Sequence, residues 1–284
     1  MHNSNSNSKT LLSAVLVLTL LLSSCLKNKD LDDDTSAAQN ENMAENYFSE
    51  LSSISDQVAT TGDLSGYKLS EDQGTLLATC AVITIDTSSN VSAQNPNIFT
   101  IDFGSGCQGT DGKLRVGKII ITATGRYLDE GTVITITPEN YSVNGNLVNG
   151  SRIVTNLGEN ALGQPSFSVS VNGTIVLANN GGTITWNANR IRTWTTGFNT
   201  PLLFFDDEYS ISGSSTGTKV NGQSWTAQIN TALLYRHSCR QIVTGTITIN
   251  PQDRPERLVN FGNGDCDYTA SVTINGNTYT FTLL

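Results

Sequence analysis

Residues 269–282 read TASVTINGNTYTFT, and this stretch decides the fold class. Apolar and polar side chains alternate on both sides of an Asn-Gly pair at 275–276. Alternation with a period of two is the pattern of a half-buried strand, and Asn-Gly accepts the positive φ angles of a tight hairpin turn. With that pair as the loop, the register sets two cross-strand pairs, Val272 with Tyr279 and Ala270 with Phe281. The stretch therefore predicts a hairpin with one apolar face.

The same period extends over residues 76–284, which contain runs such as KIIITAT, GTVITIT and SFSVSV. Asn-Gly pairs punctuate the chain, and each is a candidate hairpin turn. They begin at Asn144, Asn149, Asn172, Asn180, Asn221, Asn263 and Asn275. We therefore expect one all-β domain over 62–284, built as an antiparallel β-sandwich or as a large rolled sheet.

Four cysteines in this domain indicate internal duplication. Cys80 and Cys107 have the same separation as Cys239 and Cys266, and a Phe-Gly-x-Gly motif precedes the second cysteine of each pair. The spacing predicts two related disulfide units, around 76–127 and 235–284, each with an outgoing and a returning strand. Pairing within each unit would contribute roughly 3–4 kcal/mol per bridge. Pairing between the units is the alternative.

An amphipathic helix is predicted over 43–61, ahead of the strands. Met43, Tyr47, Leu51, Ile54 and Val58 recur at helical spacing and share one face. We expect this helix to dock on the sheet or to cover a sheet edge. A helix that binds a partner is the alternative.

The leader predicts an exported lipoprotein. Residues 20–34 read LLLSSCLKNKDLDDD, so a short apolar run ends at Cys25 and charged residues follow. The run is too short to span a bilayer, and residues 1–24 are typical of a signal peptide. Leu-Ser-Ser-Cys matches the lipoprotein box, in which Cys25 is lipidated and anchors the chain in the outer membrane. An ordinary signal peptide with an incidental cysteine is the alternative.

The residues after Cys25 predict a tether and an address. Residues 25–42 are polar and acidic, and we expect them to form a disordered tether. Cysteine, lysine and then an acidic cluster resemble the export signal of Bacteroidota lipoproteins. That resemblance implies the extracellular face of the outer membrane, with the periplasmic face as the alternative.

The composition limits the class of partner. The formal net charge is −9, and the charged residues form no basic stripe. Nucleic acid is therefore not an expected partner. Candidate partners are the membrane itself, a glycan or a surface protein.

Several short motifs suggest chemistry that their context does not support. His237 stands beside Cys239, but that cysteine is better explained by its disulfide, and GSGCQG (104–109) is followed by a strand where a dinucleotide site needs a helix. The first half of a calcium-binding loop is matched by Asn263, Asp265 and Asp267. Its sixth and twelfth positions would need glycine and glutamate, but the sequence has Tyr268 and Ile274 there. FFDDEY (204–209) is interpreted as a solvated bend. We expect no catalytic constellation, metal or cofactor.

The strand TITWNANRIRTWT (183–195) contains the strongest binding candidate. Period two places Trp186, Arg190, Arg192 and Trp194 on one face. An exposed face would form a stacking platform for sugars or peptides. The favoured interpretation is a buried face, with tryptophans in the core and arginines that extend to an edge.

Three stretches resemble a family of Bacteroidota surface lipoproteins: residues 101–137 beginning IDFGSGCQGTDG, YSVNGNLVNGSRIVTN (141–156) and VNFGNGDCDYTASVTINGNTYTFTL (259–283). The resemblance implies an exported, lipid-anchored β-protein and implies no activity, substrate or functional residue. We therefore expect a non-catalytic binding or structural module at the cell surface. The alternatives are a glycan-directed extracellular hydrolase with dispersed carboxylates, or a surface-fibre subunit.

Overall fold

One antiparallel sheet contains all the strands of the described chain. The computed structural model describes residues 32–59, 80–200 and 203–283. The strands are β1 (Val82–Asp86), β2 (Asn97–Asp102), β3 (Cys107–Gln108), β4 (Leu114–Ala123), β5 (Val133–Val143), β6 (Asn146–Glu159), β7 (Pro165–Leu177), β8 (Gly182–Thr196), β9 (Glu208–Thr218), β10 (Ser224–Arg236), β11 (Gln241–Pro251), β12 (Arg257–Asn263), β13 (Thr269–Ile274) and β14 (Asn277–Thr282).

The strands follow one another across the sheet in chain order, from β1 to β14, and the short β3 pairs with β4 alone. Long consecutive strands that alternate in side-chain character favour this meander, because each tight turn returns the chain beside the strand that it has just left. The predicted all-β class with one helix is confirmed, in the form of a single large sheet.

The helix, α1, spans Ser36–Ala59 and so begins earlier than predicted. Its start is fixed by Asp34, whose Oδ1 accepts a 3.0 Å hydrogen bond from the backbone N–H of Ser36. Residues 36–42 were predicted as part of a disordered tether, and that prediction is wrong because Ala37 and Ala38 are buried in the core. The predicted signal peptide 1–24 and Cys25 lie outside the described residues, as do residues 60–79.

Helix α1 packs against one face of the sheet, here called the inner face. It contacts β4, β5, β6, β8 and β11, so distant strands converge on one helix. Within residues 36–55, whose side chains are described, only Gln39 is exposed. Leu51 and Ile54 of the predicted face are fully buried, as are Ala44 and Phe48, whereas Met43 and Tyr47 are only partly buried. No helix in the described ranges has the length and apolar character needed to cross a bilayer.

The terminal hairpin has the predicted register, with Val272 opposite Tyr279 and Ala270 opposite Phe281. Asn-Gly pairs at 144, 180, 221 and 275 lie in turns between consecutive strands, and Asn263 ends β12. The pairs at 149 and 172 were also predicted as turns, but they lie inside β6 and β7. Their glycines, Gly150 and Gly173, face each other across the ladder.

Both predicted disulfides are present, Cys80–Cys107 and Cys239–Cys266. The first pair brackets β1 and β2, and the second brackets β11 and β12. Each unit therefore consists of an outgoing and a returning strand closed by its own bridge, as the equal spacing predicts. Helix α1 precedes Cys80 and lies outside both disulfide loops.

Candidate functional site

The predicted Trp/Arg face of β8 is the inner face of the sheet and is buried under α1. Trp186 and Trp194 are 0% and 1% exposed, and Arg190 and Arg192 are 4% and 6% exposed. The exposed stacking platform is therefore wrong for this conformation, and the tryptophans belong to the core as the favoured interpretation held. The arginines, however, do not extend to a sheet edge. Arg190 pairs with carboxylates of α1, and Arg192 donates to Tyr127, which lies between β4 and β5.

Four sheet side chains converge on the carboxylate of Glu41 in α1. The indole Nε1 of Trp186 and that of Trp225 donate to Oε2, at 2.9 and 2.8 Å. Oε1 accepts from Nη2 of Arg190 at 3.0 Å and from the hydroxyl of Ser215. We call these four residues the Glu41 receptor. Glu41 itself is 2% exposed, so its charge is satisfied entirely within the protein.

The receptor extends to a second carboxylate one helical turn further along. Arg190 donates to Oε2 of Glu45 through Nη2 at 2.9 Å and through Nε at 3.2 Å. Its guanidinium also lies over the Trp186 ring, 5.6 Å from the centroid. Burial alone lowers the pKa of Arg190, but Glu45 and Glu41 outweigh that effect and raise it. Arg190 is therefore a permanent buried cation between two helix carboxylates.

A third helix carboxylate, Glu50, reaches β4 and β5. It accepts hydrogen bonds from Arg115 Nε at 2.9 Å, Tyr141 at 3.1 Å and Lys113 at 2.8 Å. Arg115, which is fully buried, also forms a bidentate pair with Asp111 at 2.9 and 2.7 Å. Burial and the adjacent Glu50 charge raise the pKa of Tyr141 well above its ordinary value. The tyrosine hydroxyl therefore keeps its proton as a donor.

Two glycines on the inner face make room for the aromatic side chains around Glu41. A Cβ at Gly173 would lie 1.9 Å from the ring of Phe48, which stacks on Trp186 with centroids 5.7 Å apart. A Cβ at Gly217 would lie 2.1 Å from the Trp225 ring. Gly173 and Gly217 are the cross-strand neighbours of Trp186 on either side. Helix docking therefore needs glycine at these strand positions.

A separate layer surrounds the second tryptophan of β8. Trp194 donates its Nε1 hydrogen to Oδ1 of Asp207 at 3.0 Å and stacks on Tyr209. Arg192 donates to the Tyr127 hydroxyl at 2.8 Å and lies 4.5 Å from the centre of the Tyr209 ring. These contacts differ from those of Trp186 and Arg190, which bind Glu41 and Glu45. The four residues of the predicted platform therefore belong to two different environments.

The acidic run at 206–208 is not a uniformly solvated bend. Phe204–Asp206 forms a short 3-10 helix, and Asp206 is exposed as predicted. Asp207, by contrast, is 2% exposed because it accepts the Trp194 hydrogen bond. Glu208 pairs with Arg236, with Nε and Oε1 2.7 Å apart. The sequence pattern therefore missed the buried role of Asp207.

His237 is buried in a short 3-10 helix, His237–Cys239, that leads into the second disulfide. Its backbone N–H donates to the carbonyl of Asp207 at 2.9 Å. Burial, together with the nearby charges of Arg240 and Arg192, lowers the pKa of His237 to about 4. The imidazole is therefore neutral at ordinary pH.

The other motifs adopt turn structures. The stretch 104–109 contains the turn after β2 and the two residues of β3, and a strand, β4, follows it where a dinucleotide site needs a helix. Asn263, Asp265 and Asp267 are exposed. Within the described ranges, no group of three or more His, Cys, Asp or Glu side chains is placed to hold a metal ion.

A polar cleft of about 160 Å³ lies beside the Glu50 cluster. Lys113, Arg240, Tyr235 and Tyr268 line it together with acidic groups. Ligand pockets for drug-sized molecules are usually about 300–1,000 Å³ and mostly apolar. The cleft is therefore smaller than the usual pocket for a drug-sized ligand.

The sequence interpretation missed six residues of these clusters: Glu41, Glu45, Glu50, Arg115, Ser215 and Trp225. A signal for part of the set was present. Glu41 and Glu45 stand one helical turn apart, and the inner face of β8 contains Trp186 and Arg190, which are natural donors for carboxylates. Comparisons of the chain with protein-family models, with curated proteins and with solved structures found no match.

Proposed function

We propose that this protein is a lipid-anchored cell-envelope protein, a non-catalytic binding or structural module at the cell surface. The observation that carries the proposal is the burial of Glu41 among four sheet donors. It fastens α1, the first element of the described residues, to the disulfide-bridged sheet.

The short chain between Cys25 and Asp34 supports this arrangement. Even fully extended, that stretch spans at most about 30 Å. A lipid on Cys25 would therefore keep the start of α1 near the membrane, and the buried glutamates would hold the sheet there with it. Several acyl chains give stable attachment where a single chain gives marginal binding.

The interior charges support a structural role for the clusters. Glu41, Glu45 and Glu50 each accept hydrogen bonds from arginine, lysine, tryptophan or tyrosine. Ion pairs of this kind specify how two elements fit together more than they add net stability. The carboxylates thus set the position of α1 on the inner face of the sheet.

The test is membrane fractionation of cells that express the full chain. Cys25→Ser should move the protein from the membrane to the soluble fraction and abolish incorporation of labelled fatty acid. Ser24→Ala is the matched control, because it keeps a small residue before the cysteine. It should leave the membrane location and the incorporation of labelled fatty acid unchanged. Protease treatment of intact cells should then degrade the wild-type protein if it lies on the outer face. A membrane-bound Cys25→Ser protein without label would contradict the anchor.

A further inference from the structure

We propose that the inner face of the sheet is a receptor for an acidic helix and that α1 of a second copy of this chain is its alternative occupant. Two copies would exchange their α1 helices and form a swapped dimer. The inference does not rest on the lipid anchor, since it concerns only α1 and the sheet.

The first support is charge complementarity. α1 presents three buried carboxylates, and the sheet presents matching cations at Arg190, Arg115 and Lys113. Two indole N–H groups add direction, because both point at a single oxygen of Glu41. Such a pattern accepts a helix in one register and one orientation. Any helix with this spacing satisfies it, whichever molecule supplies that helix.

The second support is connectivity. α1 precedes Cys80, so neither disulfide restrains it. Residues 60–79 join α1 to Cys80, and a chain of that length spans up to about 70 Å when extended. Hydrogen bonds between α1 and the strands run through side chains, as at Glu41, Tyr47 and Glu50. Departure of α1 therefore breaks no hydrogen bond of the β-ladder.

The third support is that the interface is polar and incompletely satisfied. Among the described residues, Nη1 of Arg190 and the hydroxyls of Ser52 and Ser55 are buried without a hydrogen-bond partner. Each such group makes the interface less stable than a fully satisfied one would be. An empty receptor would expose Trp186, Trp225 and Arg190, so it would take up any matching helix within reach. Exchange preserves every contact and changes only which chain supplies the helix.

Complementation between two full-length variants tests the proposal. Glu41→Arg has a defective helix and an intact receptor, whereas Arg190→Glu has an intact helix and a defective receptor. In the mixture, the wild-type helix of Arg190→Glu can enter the wild-type receptor of Glu41→Arg. The helix of Glu41→Arg cannot fill that receptor itself, because it carries the substitution. We expect native mass spectrometry to show a 1:1 heterodimer at least ten times more abundant than either homodimer. The near-ultraviolet circular dichroism of the tryptophans should return only in the mixture.

Gln39→Arg is the matched control for the helix variant, because Gln39 is exposed. Its helix can still fill its own receptor, so its mixture with Arg190→Glu should give at least ten times less heterodimer than the mixture with Glu41→Arg. A mixture of Glu41→Arg and Arg190→Glu without heterodimer overturns the proposal. Cross-linking in cell envelopes adds another outcome. If Glu41→Arg is recovered joined to a different protein and not to the Arg190→Glu copy, the occupant is a foreign helix and the second-copy proposal is wrong.

Isotope mixing of the wild-type chain covers the case in which Glu41→Arg does not fold. Unlabelled and ¹⁵N-labelled full-length chains, mixed at high concentration, should give dimers of intermediate mass. Dimers that form equally well with Arg190→Glu would use another surface and would overturn the proposal. Monomers alone in every mixture would also overturn it.

Discussion

Trp225 donates a 2.8 Å hydrogen bond to Glu41 across 184 residues of chain. Trp186 donates to the same oxygen at 2.9 Å, across 145 residues. These contacts join α1 to strands β8 and β10 and so fix the position of α1 on the inner face of the sheet. The structural account of the protein depends on this buried carboxylate.

Glu41→Ala should strongly destabilise the fold. The substitution removes the carboxylate that accepts hydrogen bonds from two indole N–H groups and from Arg190 in a buried site. Removal of one partner from such a cluster lowers the free energy of unfolding by about 3–5 kcal/mol. Gln39→Ala, at an exposed position of the same helix, should change it by no more than about 0.5 kcal/mol. Chemical denaturation followed by tryptophan fluorescence measures both. Equal effects would mean that the carboxylate is not buried as described.

Gly173→Ala should weaken the docking of α1, because the new Cβ would meet the Phe48 ring. Overpacking of this kind lowers the free energy of unfolding by about 1–3 kcal/mol. In a Phe48→Ala background the same substitution should have almost no further effect, since the ring is gone. A double-mutant cycle measures this coupling. If the two changes in the free energy of unfolding simply added, the Phe48 ring would not lie against Gly173.

The backbone at residues 149–150 and 172–173 shows why local sequence patterns fail in part. Asn-Gly predicts a turn, and at 275–276 the hairpin and its register follow from the local alternation alone. At 172–173 the glycine serves a contact with Phe48, more than a hundred residues away. A local pattern contains no information about that contact, so two predicted turns are strands.

The charged residues of α1 show the same limit. Apolar spacing predicts a helix but not that its glutamates are buried, because their partners lie on strands far along the chain. The start of the helix was missed for a related reason, since residues 36–42 are mostly polar and gain their helical state by burial in the sheet. The disulfide pairs were predictable because the same cysteine spacing and the same Phe-Gly motif occur twice in the sequence.

Acid should destabilise the protein through His237. Burial lowers its pKa from 6.5 to about 4, so the unfolded chain binds a proton that the folded chain excludes. The stabilisation is fully present above pH 6.5 and is lost as the pH falls towards 4, by on the order of 3 kcal/mol. His237→Gln should flatten this part of the stability profile. If the free energy of unfolding of His237→Gln still falls as steeply between pH 6.5 and 4, the titrating group is not His237.

Asp34 should contribute at lower pH. Partial burial alone raises its pKa, but hydrogen bonds from Ser36 and the Lys219 ammonium outweigh that effect and lower the pKa from 3.8 to about 2. The stabilisation is present above about pH 4 and is lost as the pH falls to about 2. Asp34→Ala should lower the free energy of unfolding at pH 7 by about 1 kcal/mol through loss of the helix cap. Asp33→Ala, at the exposed neighbour, should leave it unchanged.

The indole N–H signals of the tryptophans test the buried carboxylate most directly. The chain has three tryptophans, of which Trp186 and Trp225 donate to Glu41 whereas Trp194 donates to Asp207. In ¹⁵N–¹H spectra of the full chain we expect three indole signals that are protected from exchange with solvent. Glu41→Gln should shift two of them and leave the Trp194 signal in place. Fast solvent exchange of all three indole signals, or no shift of any signal in Glu41→Gln, would contradict a helix held against the sheet by Glu41.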